Sequence, residues 1–485
     1  MNRTHIALRN LPHRWPKSIA LRSVVGIRAI TVATLFVSHV VAAPPPPPPA
    51  PPPPRGQPQQ VQPPLGQPPQ GQAPPAPTVE DLGQALFFDP SLSNPPGQAC
   101  GSCHAPQAGF TFPDSKVNLA AGPVEGAVAG RFGNRKPPTI SYAALLPGGP
   151  PTLSSSLGAY VGGLFWDGRA ANLVAQAAFP LQNPNEMNDL VHNVGSPALV
   201  VQKVLSGPSA QLFIQVYGNG VVTETTSEVF QLICEAIAAF EASSSVSPFS
   251  SKYDAVLAGK ATITASELNG LRLFTGSMSG RPGGAAHKSA LCVFCHTINS
   301  TPTEGPDLFT NSTFSNTGVP KNPNNPYYTE TNSATDPVGY NPLGAAYVDY
   351  GLGDFLYSQS QLSSGADPLA VNGKFKAPTL RNVDKRPDPN FVKAYTHNGY
   401  FKSLPQIVHF YNVRNLTTVP GEVIDFTKAQ PYAAIRGKPL FPMPECPSAV
   451  TLVNPAGTAG SIGNLGLTPQ EENDIVNFLG TLSDQ

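Results

Sequence analysis

Charge is scarce in this chain. Asp, Glu, Lys and Arg make up 12% of its 485 residues and sum to a formal net charge of zero, where an average protein carries about 25% charged residues. No basic tract is present, which argues against nucleic acid or an anionic membrane surface as the partner. No period-two apolar pattern of any length occurs, so strands do not organise the fold. The apolar run Ala29 to Val41 is too short to span a bilayer comfortably. Cysteine is confined to six positions, and four of these fall in two five-residue stretches.

Those stretches are Cys100-Gly101-Ser102-Cys103-His104 and Cys292-Val293-Phe294-Cys295-His296, each of the form CxxCH. Two thiols three positions apart can add to the two vinyl groups of one haem, and the histidine that follows then lies under the iron as its proximal ligand. A zinc ribbon would need a second CxxC near the first, and a thioredoxin-like pair would follow a strand in a βαβ unit. Neither context is present. Two covalently bound haem c groups are expected, one on Cys100, Cys103 and His104 and one on Cys292, Cys295 and His296.

Residues 1–43 read as an export signal: Arg3, Arg9, Arg14, Lys17, Arg22 and Arg28 precede the apolar run, and small residues around Val41-Ala42-Ala43 offer a cleavage point. A periplasmic or otherwise exported protein is expected. Residues 44–77 hold 18 of the 57 prolines and have almost nothing to bury. Such a segment predicts a disordered or polyproline II tether that keeps the rest of the chain away from membrane or wall. The roughly 400 residues that follow suffice for two domains, expected at 78–255 and 256–485. Cys234 and Cys446 remain, either paired or as buried thiols.

Helix signals dominate the folded part. Thr225-x-x-Glu228 and Thr264-x-x-Glu267 have the form of capping boxes, opening helices with Val229, Leu232, Ile233 and Ile237 and with Leu268 and Leu271 on their apolar faces. Thr468, Pro469 and Glu471 open a last helix with Ile475, Phe478, Leu479 and Leu482 on one stripe. Long loops rich in Gly, Pro, Asn and Ser separate them. The expectation is a mainly α fold of two cytochrome c-like haem domains with long irregular loops, in which the haem supplies core that short helices cannot.

Further segments recur in a specific order: Leu82 through Pro90, Gly109-Phe110, Asn134-Arg135-Lys136-Pro137-Pro138-Thr139, Phe165-Trp166-Asp167-Gly168-Arg169, and Gln176 through Pro180 to Glu186-Met187. Asn316 through Pro320, Pro378 through Val383 and His397-Asn398-Gly399 follow. In this order the chain resembles the bacterial di-haem cytochrome c peroxidase and MauG superfamily over nearly all of residues 78–485. The resemblance implies a peroxidatic haem on His104 and a six-coordinate relay haem on His296. It also implies a distal pair, Gln176 and Glu186, at the first iron. Peroxide must lose a proton from one oxygen and gain one on the other before the O–O bond breaks; a carboxylate can carry that proton and an amide can orient the oxygens.

By the same resemblance, Trp166 serves as a stepping stone between the haems, although a large aromatic at a domain junction is also plain packing. His397 is implied to bond a haem propionate or the backbone. A calcium ion is implied on Asn134, with backbone carbonyls near Val392 and Ala394. His192, His287 and His409 are expected to be surface or local structural residues, with His409 near enough in sequence to Tyr411 to support it.

Two departures from the peroxidase pattern stand out. No histidine occurs from Ala105 to Val191, so no second ligand is at hand to close the first iron unless His192 swings in. Where the peroxidases carry a methionine as sixth ligand of the relay haem, this chain has Tyr411, on a stripe with Leu404, Ile407 and Val408 behind Ser403-x-x-Gln406. MauG uses a tyrosine at the matching place. A phenolate favours the higher iron oxidation states, whereas a thioether favours ferrous iron; Met278 and Met443 are the substitutes. The expected function is a di-haem oxidoreductase that reacts with hydrogen peroxide at the His104 haem and passes oxidising equivalents to an external donor, leaning towards MauG, whose substrate is a protein side chain. The alternatives are a peroxidase drawing on a small cytochrome c or cupredoxin, and a non-catalytic electron-transfer cytochrome.

Overall fold

A computed structural model describes residues 75–276, 288–299, 305–330, 341–359, 370–416, 441–447 and 461–485. The export signal, nearly all of the proline-rich segment, Met278 and His287 lie outside the described residues. The fold is mainly α, with small irregular sheets. Its helices are α1 (Val79–Phe87), α2 (Cys100–Cys103), α3 (Ser115–Ala120), α4 (Leu173–Gln182), α5 (Pro197–Ser206) and α6 (Ala210–Tyr217). They continue as α7 (Thr226–Glu241), α8 (Lys252–Leu257), α9 (Ala265–Thr275), α10 (Leu352–Ser358), α11 (Leu404–Val413) and α12 (Pro469–Gly480). The strands are two or three residues long and pair only as antiparallel couples. Among the described residues no helix is long and apolar enough to cross a membrane.

Four helices start with the same device. Thr78, Thr225, Thr264 and Thr468 each accept a hydrogen bond from the N3 backbone, while Asp81, Glu228, Glu267 and Glu471 reach back to the cap. These four pack as two pairs, α1 on α7 and α9 on α12, and each pair crosses at a glycine. A Cβ on Gly83 would stand 1.8 Å from the Ala236 carbonyl oxygen, and one on Gly270 would stand 1.9 Å from that of Asp474. Neither position accepts any side chain. Phe240 and Phe478 cover the two glycines from the partner helix.

Each pair organises its own core. Leu82, Leu86, Phe87, Ile233, Ile237 and Phe240 belong to the first, and Phe274, Phe309, Phe401, Phe410, Ile475 and Phe478 to the second. The C-terminus then ties the two together. Asp484 accepts from Tyr142 (2.7 Å) and Asn382 (2.8 Å), and Arg381, 1% exposed, forks onto Asp254 with two bonds of 2.9 Å. Cys234 is buried on α7 in the first core, whereas Cys446 packs beside Gly373 and Asn316 at the other side of the molecule. They form no disulfide with each other.

Adding a methyl group at either crossing must push two helices apart. Gly83→Ala and Gly270→Ala are each expected to lower stability by about 2–3 kcal/mol or more, read from the urea midpoint. Gly220→Ala, where the added methyl meets nothing within 4 Å, is expected to stay within about 0.5 kcal/mol.

Candidate active site

The short helix α2 sets Cys100 and Cys103 one turn apart, and His104 ends it, with its backbone N–H on the Cys100 carbonyl. The imidazole Nδ1 lies 3.1 Å from the Phe110 carbonyl oxygen. In the second half the His296 Nδ1 lies 2.9 Å from the carbonyl oxygen of Phe309. Phe110 and Phe309 both adopt the left-handed conformation, at φ 55° and 53°, a conformation that bulky residues avoid. The strain turns each carbonyl onto its histidine. With Nδ1–H donating, Nε2 keeps its lone pair for a metal.

A third element completes the parallel. The Thr139 hydroxyl donates to the Gly109 carbonyl (2.8 Å) and the Thr379 hydroxyl to that of Leu308 (2.6 Å), fixing the residues just before the two phenylalanines. These threonines belong to Lys136-Pro137-Pro138-Thr139 and Lys376-Ala377-Pro378-Thr379, and the carbonyls of Pro138 and Pro378 act on His104 and His296. Burial lowers the His104 pKa to about 4, against the Phe110 bond, with the Lys136 charge adding to the shift; burial likewise lowers His296. Both imidazoles are neutral, as a ligand must be. Burial raises all four thiols of the motifs, Cys103 and Cys292 to about 12.

One apolar cavity runs from His104 to His296 and is lined by Cys292 and Cys295, with Gln176, Trp166, His397 and Tyr411 on its walls. The donor sets fit two haem c groups: a neutral imidazole at each end, two protonated thiols beside each, and buried polar atoms with no protein partner in between. Gln176 on α4 keeps its Oε1 buried and unbonded. Glu186, in the turn after α4, accepts a 3.0 Å bond from Asn183. Burial raises its pKa against the opposing Arg169 and Asn183, and its charge reaches both Cys100 and Cys103. Glu186 therefore stands near the first motif without lining the cavity, whereas Gln176 lies on the cavity wall that His104 shares.

Glu241 was not foreseen. It is 4% exposed, lines the cavity, has an unbonded Oε2 and acts on Cys100. Burial alone pushes its pKa to about 8. The sequence held a signal: an acid in the last turn of α7 opposes the helix dipole, and Glu241 continues the i, i+4 row of Val229, Ile233 and Ile237. Trp166, 9% exposed, donates its indole N–H to the Lys136 carbonyl (2.9 Å), and the Lys136 ammonium stands 5.7 Å from the ring centre.

At the far end Tyr411 shares the cavity wall with His296, Cys292 and Cys295. Burial raises its pKa to about 12, while a bond with Thr317 and the nearby Arg414 charge pull the other way. Met443 is 71% exposed and does not reach the cavity. His192 sits exposed in the turn between the strands Leu190–Val191 and Val194–Gly195. His409 bonds Glu472 on α12 at 3.0 Å. His397 stacks on Phe375 (3.5 Å between ring centres) with its Nε2 3.7 Å from Glu445.

The residues expected to hold calcium are partly engaged within the protein. Asn134 turns its amide N–H to the Tyr347 hydroxyl (2.9 Å), and the Val392 carbonyl already accepts from Asn118 (3.1 Å). The residue between the two expected carbonyls is Lys393, whose buried ammonium lies close enough to that of Lys136 to be repelled by it.

The chain is similar to known proteins over most of its length. Residues 77–262 match the family model described as di-haem cytochrome c peroxidase. The chain is 32% identical over 406 residues to the methylamine utilization protein MauG of Paracoccus denitrificans, covering 83% of this chain and 88% of that one. It is 29% identical to the cytochrome c551 peroxidase of Nitrosomonas europaea, covering 68% and 71%. Among solved structures it resembles the diheme peroxidase BthA of Burkholderia thailandensis, with 27% identity, a TM-score of 0.59 and coverage of 84% and 86%.

The carboxyl of Glu241 binds its proton more tightly in the folded than in the unfolded chain, so folding takes up protons between about pH 4.5 and about 8. Its contribution is intact below that window and is lost as pH rises through it. Glu241→Gln is expected to match the wild type near pH 4 and to melt at a higher temperature than the wild type at pH 8.5. A variant less stable at both pH values would mean that the ionised carboxylate is bonded.

Proposed function

The chain belongs to the di-haem cytochrome c peroxidase and MauG superfamily and is a di-haem oxidoreductase of the peroxidase class; from this premise we propose that it is an exported enzyme that reduces hydrogen peroxide at the His104 haem. Electrons reach that haem through the His296 haem from an external donor, a small cytochrome c or a cupredoxin. What supports this is two buried polar groups: an amide oxygen of Gln176 on the cavity wall with no protein partner, and a Glu186 carboxyl near the first motif held towards its protonated form.

The haem supplies an iron that binds peroxide and takes up its oxidising equivalents. The chain supplies the rest. His104, neutral and aimed by the Phe110 carbonyl, holds the proximal side. Gln176 orients the peroxide oxygens, and Glu186 takes a proton from the nearer oxygen and returns it to the farther one, which leaves as water. Burial suits this, since it raises the carboxyl above its ordinary range and so makes it readier to take up a proton. No histidine between Ala105 and Val191 competes for the distal position. Trp166, on the wall of the cavity that both histidines line, offers an aromatic step between the haems.

The peroxidase reading leads here, although the sequence leaned towards MauG. Several of the similar proteins are peroxidases by name, the Nitrosomonas and Burkholderia proteins among them. The MauG-like reading, oxidation of a protein side chain at long range, keeps one specific support: Tyr411 faces the same cavity as His296, while Met443 points to solvent.

Turnover of peroxide with a reduced small cytochrome c or cupredoxin tests the choice. The oxidised enzyme, given no prior reduction, is expected to consume the donor in proportion to peroxide, and Glu186→Gln to lose roughly 10²-fold or more in kcat/KM. Rapid reaction with peroxide but no oxidation of any such donor would pass the lead to the MauG-like reading. In low-temperature EPR of the oxidised holoprotein, Tyr411→Phe is expected to change the low-spin signal and leave the high-spin one; an unchanged low-spin signal would remove Tyr411 as ligand.

A further inference from the structure

Among the described residues three lysines line the cavity without a salt bridge, and only Lys393 has a carboxylate, that of Asp384, acting on it from farther off. Lys136, Lys376 and Lys393 are 7%, 6% and 5% exposed. Their hydrogen bonds go to backbone carbonyls, Pro137 at 2.9 Å for Lys136, Gly163 for Lys376, and Asn382 and Lys385 at 2.8 and 3.1 Å for Lys393, while the Lys136 and Lys376 ammonium groups also face the rings of Trp166 and Phe314. Elsewhere the fold treats lysine differently. Lys203, Lys252 and Lys288 pair with Asp189, Glu267 and Glu471. Lys402, equally buried but away from the cavity, is satisfied by three carbonyls, those of Asn118, Ala121 and Gly399.

A buried ammonium carries three donors and a charge that low-dielectric surroundings penalise unless an anion answers it. Lys136 and Lys393 also repel one another, and burial lowers all three from the usual lysine range. Their common partner is therefore anionic and lies in the cavity. Position narrows it further. Lys136 and Lys376 occupy the same place in the two Lys-x-Pro-Thr segments, two residues before the proline whose carbonyl acts on the proximal histidine of that half. A residue repeated at that place answers to something each half holds. A haem brings two propionate carboxylates.

We propose that Lys136, Lys376 and Lys393 are the counter-ions of the haem propionates, Lys136 for the His104 haem, Lys376 for the His296 haem and Lys393 at the junction, and that their charge raises the potentials of the two irons. The assignment rests on the two-haem reading. Propionates left uncompensated stabilise ferric over ferrous iron, so removing a lysine charge lowers a potential.

Redox titration of the periplasmically matured holoprotein tests this, with haem content measured for each variant. Lys136→Met, Lys376→Met and Lys393→Met are each expected to raise the ferric/ferrous ratio of one haem about tenfold at a fixed potential, ~59 mV for one electron. That is the effect of one unit charge ~10 Å from an iron at an effective dielectric of ~20. The Lys→Arg variants are expected to hold wild-type potentials, as is Lys116→Met on the exposed side of α3. Unchanged potentials in all three Met variants at full haem content overturn the assignment. So do wild-type potentials that follow added phosphate or chloride, since a solution anion would then be the partner. Where a Met variant fails to mature, recovery of haem and potential in the Arg variant supports the assignment, and failure of both counts against it. Shifted potentials in a protein inert to peroxide would sink the peroxidase reading and leave the lysines as assigned.

Discussion

Two pairs of helix backbones touch at Gly83 and at Gly270, and what each half of the molecule can hold follows from that contact. With no side chain between them, α1 and α7, and α9 and α12, lie close enough for Phe240 and Phe478 to cap the glycines. The next residue on each partner helix is then delivered to the cavity wall. In the first half it is Glu241, and in the second it is Leu479. One scaffold position thus carries a protonatable group where peroxide chemistry is proposed and a hydrocarbon where only electrons need pass. Burying the acid costs free energy that the leucine does not, so its presence in one half alone points to a task rather than to packing.

The same division runs through the histidines. Both are aimed by the carbonyl of a left-handed phenylalanine, steadied by a threonine from a Lys-x-Pro-Thr segment. The surroundings of the two histidines are near copies, and the halves diverge elsewhere: Glu186 and Glu241 act on thiols of the first motif, while Tyr411, with Arg414 beside it, lies near those of the second.

Much of this was legible in the chain and some was not. The CxxCH motifs name covalent chemistry directly, and the Thr-x-x-Glu boxes mark three of the four crossing helices, because both signals act within five residues. The fourth box was missed because Asp81 stands where Glu or Gln is usual. Glu241 and the three cavity lysines were missed for a different reason. Their meaning depends on what they fail to meet, and an absent partner leaves no local pattern. Calcium was carried over from resemblance, on the Asn134 side chain with backbone carbonyls near Val392 and Ala394, and no local pattern of the chain marks it.

Protein charges hold the junction. Arg135 bonds Asp349 at 2.6 and 2.7 Å and Asp167 at 2.5 Å; burial would raise both carboxyls, yet the guanidinium outweighs it and keeps them below the usual carboxylate range. Asp167 is the neighbour of Trp166, and Lys136, the neighbour of Arg135, receives the indole N–H on its carbonyl and gives its own N–H to the His397 carbonyl (2.8 Å). The tryptophan is therefore fixed from both sides by one short segment that crosses between the cores. The electron step proposed through this ring depends steeply on distance, so a ring fixed in this way serves it better than a looser, better solvated one.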